Sequence, residues 1–361
     1  MKPPFEWDAY SDQPKIITDR IFKRRARFGA IDDYLKMLGL AGIVLPLAGL
    51  KYAFVRPNPQ PGVDLFGIGL SLDKGPSQLD LADELGVDHI LIRVPLWDLR
   101  RLDDYVVFAK SIRQRGKSVL FNVLQDREHI EDQRLLELDL NRVFDLLGQV
   151  SHEFQIGNAI NRIKWGFFSI AEYLNFFKTA QTIRDNKFPT LELLGPSVID
   201  FEYFYTIRAL FGREDIVFDR LSSLLYVDRA GSPKAKQLGL FNLAAKIRLL
   251  ATIQGMCKKV KREGLYITEV NWPITGRAPY APTSEKECVS IEQYCEYMRD
   301  YFQITAKSGF VSRVYWHQLV APGYGLVDDR TGSLRKTPAF YAFKEMVAQY
   351  RLTDKKAKGA T

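Results

Sequence analysis

Glu269 lies in an apolar run, Leu265-Tyr266-Ile267-Thr268-Glu269-Val270-Asn271-Trp272-Pro273, that delivers one carboxylate and then an amide and an indole. A carboxylate so placed can attack an electrophilic carbon, or take a proton from a water that does. Other acids follow apolar runs: Asp126, Asp200, Glu202 and Asp228. Acid–base chemistry at neutral pH needs two such groups in unlike environments, one ionised and one protonated. Each of these acids has a plainer alternative, an ion pair with a neighbouring arginine.

Those residues need a frame that gathers strand ends. From Val63 onward, short apolar runs alternate with longer amphipathic ones. Residues 65–72, 89–95, 118–124, 153–157, 191–199, 224–227, 265–270 and 311–316 read as strands. Helices are expected over 76–86, 102–115, 138–150, 169–184, 241–260, 291–307 and 337–350. Near-continuous apolar strands between amphipathic helices imply a parallel sheet covered by helices. Eight such units over 63–350 predict a (β/α)8 TIM barrel. A doubly wound sheet would carry a glycine-rich phosphate loop after its first strand, and this sequence has none.

A barrel concentrates function at the C-terminal ends of its strands. In order, those ends carry Arg93 and Trp97; Asn122, Gln125 and Asp126; Asn158, Asn161 and Arg162; Asp200 and Glu202; Tyr226, Asp228 and Arg229; Glu269, Asn271 and Trp272; and Trp316, His317 and Gln318. Trp97, Trp165, Trp272 and Trp316 all fall at or just past these ends. Sugars present apolar faces bordered by hydroxyls, so stacked rings among carboxylates, amides and arginine form a carbohydrate cleft. Tryptophans that cap the barrel core are the alternative.

In this order of residues the chain resembles the clan of retaining (β/α)8 glycoside hydrolases (clan A), in particular its β-xylosidase and endo-glycosidase-like branch. That clan places Arg at strand two, Asn-Glu at strand four, an aromatic or His near strand six, the nucleophile Glu at strand seven and Trp at strand eight. Arg93, Asn158, Tyr226, Glu269 and Trp316 match in type and order, and residues 336–343 look like the clan's final helix. The resemblance covers 63–350. It implies that Glu269 is the nucleophile, or the base of an inverting enzyme, held charged by Arg93 and Asn271 and oriented by Tyr226. It also implies an acid/base Glu after Asn158, where this chain has Ala159, with Ile160 in place of the usual Pro. A replacement acid is expected at Asp200 or Asp228 first, then Asp126 or Glu202, with His317 a weaker option. Arg93, Trp97, Asn122, Asp126, Asn158, Asn161, Tyr226, Asn271, Trp272, Trp316 and His317 are the expected substrate contacts. Two functions follow: cleavage or transfer of a glycosidic bond in a polysaccharide or glycolipid with a non-standard or missing acid, or an inactive glycan-binding barrel in surface-polysaccharide assembly.

The 361 residues carry a formal charge of +8. That charge suits acidic partners, such as an anionic polysaccharide, lipid headgroups or nucleic acid, and equally a merely solvated basic surface. The basic runs at 23–27 and 355–358 lack interleaved aromatics, so no nucleic-acid partner is expected. Cys257, Cys288 and Cys295 make no even framework and read as free thiols in a reducing compartment. The four histidines show no metal-ligand spacing and no nucleotide motif occurs, so neither metal nor cofactor is expected.

Residues 1–62 form an N-terminal extension. It opens with no secretory signal pattern, which points to a cytoplasmic protein. Within it, 37–55 is apolar apart from Lys51 and is about long enough to span a bilayer when counted through that lysine. It reads as a peripheral membrane anchor aided by the 23–27 cluster, as a single span, or as a helix packed on the barrel. Residues 56–62 read as a stiff Pro-rich linker, and 351–361 as a basic disordered tail.

Overall fold

Eight parallel strands close on themselves in the computed structural model, which describes residues 5–57, 63–228 and 230–358. They are β1 (Phe66–Leu70), β2 (His89–Pro95), β3 (Ser118–Leu124), β4 (Glu153–Ile156), β5 (Glu192–Ile199), β6 (Arg220–Leu224), β7 (Leu265–Val270) and β8 (Val311–Trp316). Each pairs with its sequence neighbours, and β8 closes onto β1. The expected (β/α)8 barrel is therefore the fold. The strand period of two sends alternate residues inward. Leu91, Leu120, Leu194, Tyr266 and Tyr315 fill one inner layer. One step along β2, β3 and β4, Arg93, Asn122 and Gln155 stand level with one another. An apolar plug thus carries a polar floor, and that floor is the base of the candidate site.

The helices are α1 (Arg20–Gly29), α2 (Ile31–Lys51), α3 (Gln78–Leu85), α4 (Leu102–Gln114), α5 (Arg127–Glu131), α6 (Gln133–Leu147), α7 (Ile170–Lys187), α8 (Tyr203–Phe211), α9 (Leu243–Gly255), α10 (Ile291–Ser308) and α11 (Pro338–Lys358). Several differ from expectation for identifiable reasons. The sixth strand is Arg220–Leu224 and not 224–227, which leaves Tyr226 two residues past its end. Ser222 and Ser223 disguised it; both are buried, and they bond to Ser197 Oγ (2.8 Å) and the Val198 carbonyl (3.1 Å). α6 starts at Gln133 because the Asp132 carboxylate caps it, accepting from the amides of Arg134 (2.9 Å) and Leu135 (3.1 Å). α8 has no clear polar face, since it lies between β5 and α2. α11 continues to Lys358, beyond the expected boundary at 350. Residues 58–62 of the expected linker, Arg229 and residues 359–361 lie outside the described residues.

α2 packs on α8 and α9 through Met37, Ala41, Val44 and Ala48, on one face of the helix. A buried ion pair, Arg208 Nε to Asp33 Oδ1 at 2.9 Å, fastens its start. Upstream of α1 the chain turns back over the strand ends. Trp7–Asp8 pairs antiparallel with Gln13–Pro14 to make a small hairpin, called the strap below.

Candidate active site

Glu269 is buried near the end of β7. The β7–β8 register slips at this level, between Val314 and Trp316, and such irregularities bend a strand and re-aim its side chains. Glu269 Oε2 accepts from Arg93 Nη2 and, at 3.5 Å, from Asn158 Nδ2; Oε1 accepts from the Tyr226 hydroxyl at 2.8 Å. Burial alone would push this carboxyl up. The Arg93 guanidinium and the Tyr226 hydroxyl outweigh burial and hold it at about 2. The Arg93 side chain is mostly covered, and Glu269 and Asp12 keep it protonated.

Asn158 is aimed by the turn before it. Gly157 adopts φ 83°, and a Cβ there would press on the Tyr173 ring at 3.2 Å. The Asn158 amide then donates to Gln125 Oε1 (2.9 Å), and its carbonyl accepts from Gln125 Nε2 (2.8 Å). Its Oδ1 accepts from Asn122 Nδ2 (3.0 Å), so its Nδ2 is the end left to face Glu269.

The position after Asn158 is built differently. Ala159, at φ 46°, is buried with Leu124, Trp165 and Leu224, and Trp7 of the strap packs against this cluster. The acids expected to compensate are engaged elsewhere. Asp200 and Glu202 pair with Arg162, and Asn161 donates to Glu202 at 2.7 Å. Asp126 caps α5 and joins His129, whose other ring nitrogen lies 3.0 Å from Asp139. Asp228 is exposed. None of these acids bonds to Glu269, Arg93, Asn158 or Tyr226 among the described residues. The structure does not assemble the expected pairing of Glu269 with Asp200 or Asp228. The reason is local: Asp200 has a nearer partner in Arg162, and Asp228 is exposed past the end of β6.

Other expected contacts separate into two groups. Trp97 and Trp165 border the barrel mouth, whereas Trp272 and Trp316 belong to the core. Their rings lie 5.9 Å apart and nearly parallel, and their indole N–H groups donate to the Gly231 carbonyl (3.0 Å) and the Tyr294 hydroxyl (2.6 Å). Asn271 donates to the His317 carbonyl at 2.6 Å, tying β7 to β8 rather than holding Glu269. Burial, with Arg93 nearby, lowers His317 to about 3, so it is neutral and carries no imidazolium proton to donate as a general acid. Asn161 bonds both ways to the Ile199 backbone at 3.0 Å and joins the ends of β4 and β5. Among the described residues no group of three or more His, Cys, Asp or Glu could hold a metal ion.

The strap is what sequence reasoning missed. Asp12, at φ 52°, offers its carbonyl to Arg93 Nη1 at 2.9 Å and its carboxylate to the same nitrogen at 3.3 Å. Gln318 Nε2 also donates to that carboxylate (3.3 Å), Tyr324 donates to the Ser11 carbonyl (3.2 Å), and Lys164 Nζ donates to Gln13 Oε1 (2.6 Å). The Trp7 ring centre lies 5.2 Å from that of Trp97 and 5.9 Å from that of Trp165. The only sequence signal was Phe5, Trp7 and Tyr10, more aromatic surface than a solvated arm would carry. Asp12 is held between Arg93 of β2 and Gln318 just past the end of β8, and burial, with Glu269 nearby, raises its carboxyl.

No family model and no curated protein matches the sequence. Solved structures do match. A β-glucosidase from Thermotoga maritima, bound to deoxynojirimycin, is 11% identical with a TM-score of 0.56; the match covers 81% of this chain and 99% of that one. The virulence factor SghA of Agrobacterium tumefaciens, with its substrate analog salicin, is 12% identical with a TM-score of 0.57, covering 83% of this chain and 98% of that one. A monomeric β-xylosidase from Caulobacter crescentus is 14% identical with a TM-score of 0.57, covering 80% and 68%. At such identities the likeness is one of fold: this chain shares its (β/α)8 barrel with these glycosidases.

Proposed function

We propose that this protein is a glycoside hydrolase-like barrel acting on a glycosidic bond of a polysaccharide or glycolipid, with Glu269 as nucleophile and no carboxylic acid at the usual acid position. The state of Glu269 carries this reading: it is buried, ionised and oriented by three donors at the end of β7. Attack by Glu269 on the anomeric carbon forms a glycosyl ester and expels the leaving group with the bonding electron pair. Water then cleaves the ester, releases its proton to solvent and restores the carboxylate. Lack of a positioned acid costs roughly 10²- to 10⁴-fold with an ordinary alcohol leaving group, and little with an activated one.

The test is hydrolysis of dinitrophenyl glycosides with and without azide. Cleavage that azide accelerates and Glu269→Gln abolishes is the expected result. Unchanged cleavage in Glu269→Gln removes this residue from the mechanism. The packing of Trp7 at Ala159 favours a second reading, an inactive glycan-binding barrel. Its signature is saturable glycan binding without turnover anywhere in the panel.

We also propose that the barrel rests on the cytoplasmic face of an anionic membrane, with α2 lying in the interface plane. α2 is long and apolar enough to cross a membrane, yet one face packs on the barrel. Its outer face exposes Ile31, Leu35, Leu38, Ile43, Leu47 and Leu50, continued by Phe28 and Phe54. Contiguous exposed apolar surface of this kind marks an interaction site. Arg20, Arg24, Arg25 and Arg27 on α1 border it, exposed and basic, which complements anionic headgroups. Cosedimentation of the full chain with phosphatidylglycerol vesicles, lost in Leu38→Asp/Ile43→Asp and weakened by salt, is expected. Equal binding by that variant would remove α2 from the contact.

A further inference from the structure

The strap fills the barrel mouth with a particular chemistry. Arg93, Lys164, Gln318 and Tyr324 all donate to it, and to these four groups it offers acceptors, the Asp12 carboxylate and carbonyl, the Gln13 amide oxygen and the Ser11 carbonyl; in the other direction Gln13 Nε2 donates to the Pro282 carbonyl at 3.1 Å. Between these acceptors and the wall it places the Trp7 ring against Trp97 and Trp165, with the Phe5 ring edge-on to Trp97. The floor below holds one anion, Glu269, and two cations, Arg93 and Lys164. Without the strap the mouth keeps several unmatched donors, two of them on the cations Arg93 and Lys164, and Glu269 bonds to Arg93 but not to Lys164. Buried donors and charges left unmatched are costly, so what replaces the strap must bring acceptors and a negative charge.

We infer that the strap is an internal occupant of the ligand cleft, and that the cleft's own ligand is an acidic saccharide whose carboxylate takes the place of Asp12 on Arg93 and Gln318. A ring face of that sugar takes the place of Trp7 between Trp97 and Trp165. This deepens the proposed glycan reading and rests on it for the ligand being a sugar. The strap's bonds to the mouth are few, and each exchanges against water or ligand bonds at modest net gain, so a ligand can displace it.

The test is calorimetric binding of a tetrasaccharide of glucuronate and of the matching glucose tetrasaccharide to the full chain and to Trp7→Ala/Asp12→Ala. The opened variant is expected to bind the glucuronate compound at least ~10-fold more tightly than the unaltered chain, about 1.4 kcal/mol. Lys164→Met in that background is expected to narrow its preference over the neutral compound. In the unaltered chain, saturating glucuronate tetrasaccharide is expected to speed amide hydrogen exchange in residues 5–15. That measurement disturbs no side chain, and thermal unfolding shows whether each variant is folded. Equal affinity in the opened and unaltered chains, with exchange unchanged, overturns the strap as occupant. Equal affinity for the acidic and neutral compounds overturns the acidic ligand, and so does absence of binding by every form. Binding is read without turnover, so a chain that binds as expected yet cleaves no dinitrophenyl glycoside loses the catalytic reading alone.

Discussion

On the β7 side of the mouth, Arg93, Asn158 and Tyr226 direct donors at one carboxylate. On the β4 side, Ala159 is buried among Leu124, Trp165 and Leu224, a cluster against which Trp7 packs. The two corners belong to one barrel and differ in kind. Apolar packing is what stability alone produces, and a buried ion pair is often no better than apolar residues of equal volume. The Ala159 corner therefore needs no functional explanation, whereas the Glu269 corner does. A protein that had lost all use for the site would be free to replace Arg93 and Glu269 by apolar residues as well. That asymmetry supports a retained role for Glu269 in the site.

The largest predicted effect comes from converting one corner into the other. Ala159→Glu combined with Trp7→Gly restores a carboxyl and the space it needs. Turnover of an unactivated glycoside is expected to rise roughly 10²- to 10⁴-fold, with loss of azide acceleration. No gain in a folded variant would mean that a missing acid is not what limits the site.

Next in size is the ion pair. Arg93→Met leaves the Glu269 carboxylate buried without its cation and is expected to lower stability by about 3–5 kcal/mol in urea unfolding. Adding Glu269→Gln should recover much of that loss. A cost near zero would contradict the burial that distinguishes this corner.

The pH dependence of stability sharpens the same contrast. Glu269 is held at about 2 in the folded chain against an ordinary 4.5, so its contribution is fully present above 4.5. It is lost as pH falls toward 2, to a total of about 3 kcal/mol. His317, held at about 3 against 6.5, resists protonation when folded, so it lowers stability as pH falls below 6.5, by up to about 1.4 kcal/mol per unit. Unfolding temperature followed from pH 7 to pH 3 should decline in both windows. Glu269→Gln should flatten only the lower one, and an unaltered profile in that variant would show that Glu269 is not held ionised.

The smallest effect is expected at Asp200, whose partner is Arg162 in a partly exposed pair. Asp200→Asn should change dinitrophenyl glycoside turnover by less than about twofold and stability by at most about 1 kcal/mol. A large drop in turnover would restore Asp200 as the displaced acid and redraw the comparison.

The barrel was legible because its signals are local. Alternating apolar strands and amphipathic helices are read from neighbours a few residues apart, and the strand ends then follow. Arg93, Asn158, Tyr226 and Glu269 stood at those ends, and the structure brings them together. The exceptions are informative. β6 hid behind its buried serines, and α8 behind the lack of a polar face, because both are covered on sides a sequence pattern assumes to be wet. Trp272 and Trp316 had the right positions for a cleft but were taken up by the core, as their neighbours Tyr294, Tyr301 and Phe302 close over them.

By itself, then, the sequence determined the eightfold alternation, the ionisable residue at the end of β7 and the alanine that follows Asn158. What only the tertiary structure decided is what surrounds Ala159 and what covers the mouth. Asp12 meets Arg93 across 81 positions and Gln318 across 306, and Trp7 reaches the Ala159 corner from the far end of the chain. No local periodicity encodes such contacts. They exist because a closed barrel brings its strand ends to one place, where burial and hydrogen bonding favour whatever segment best covers the donors exposed there.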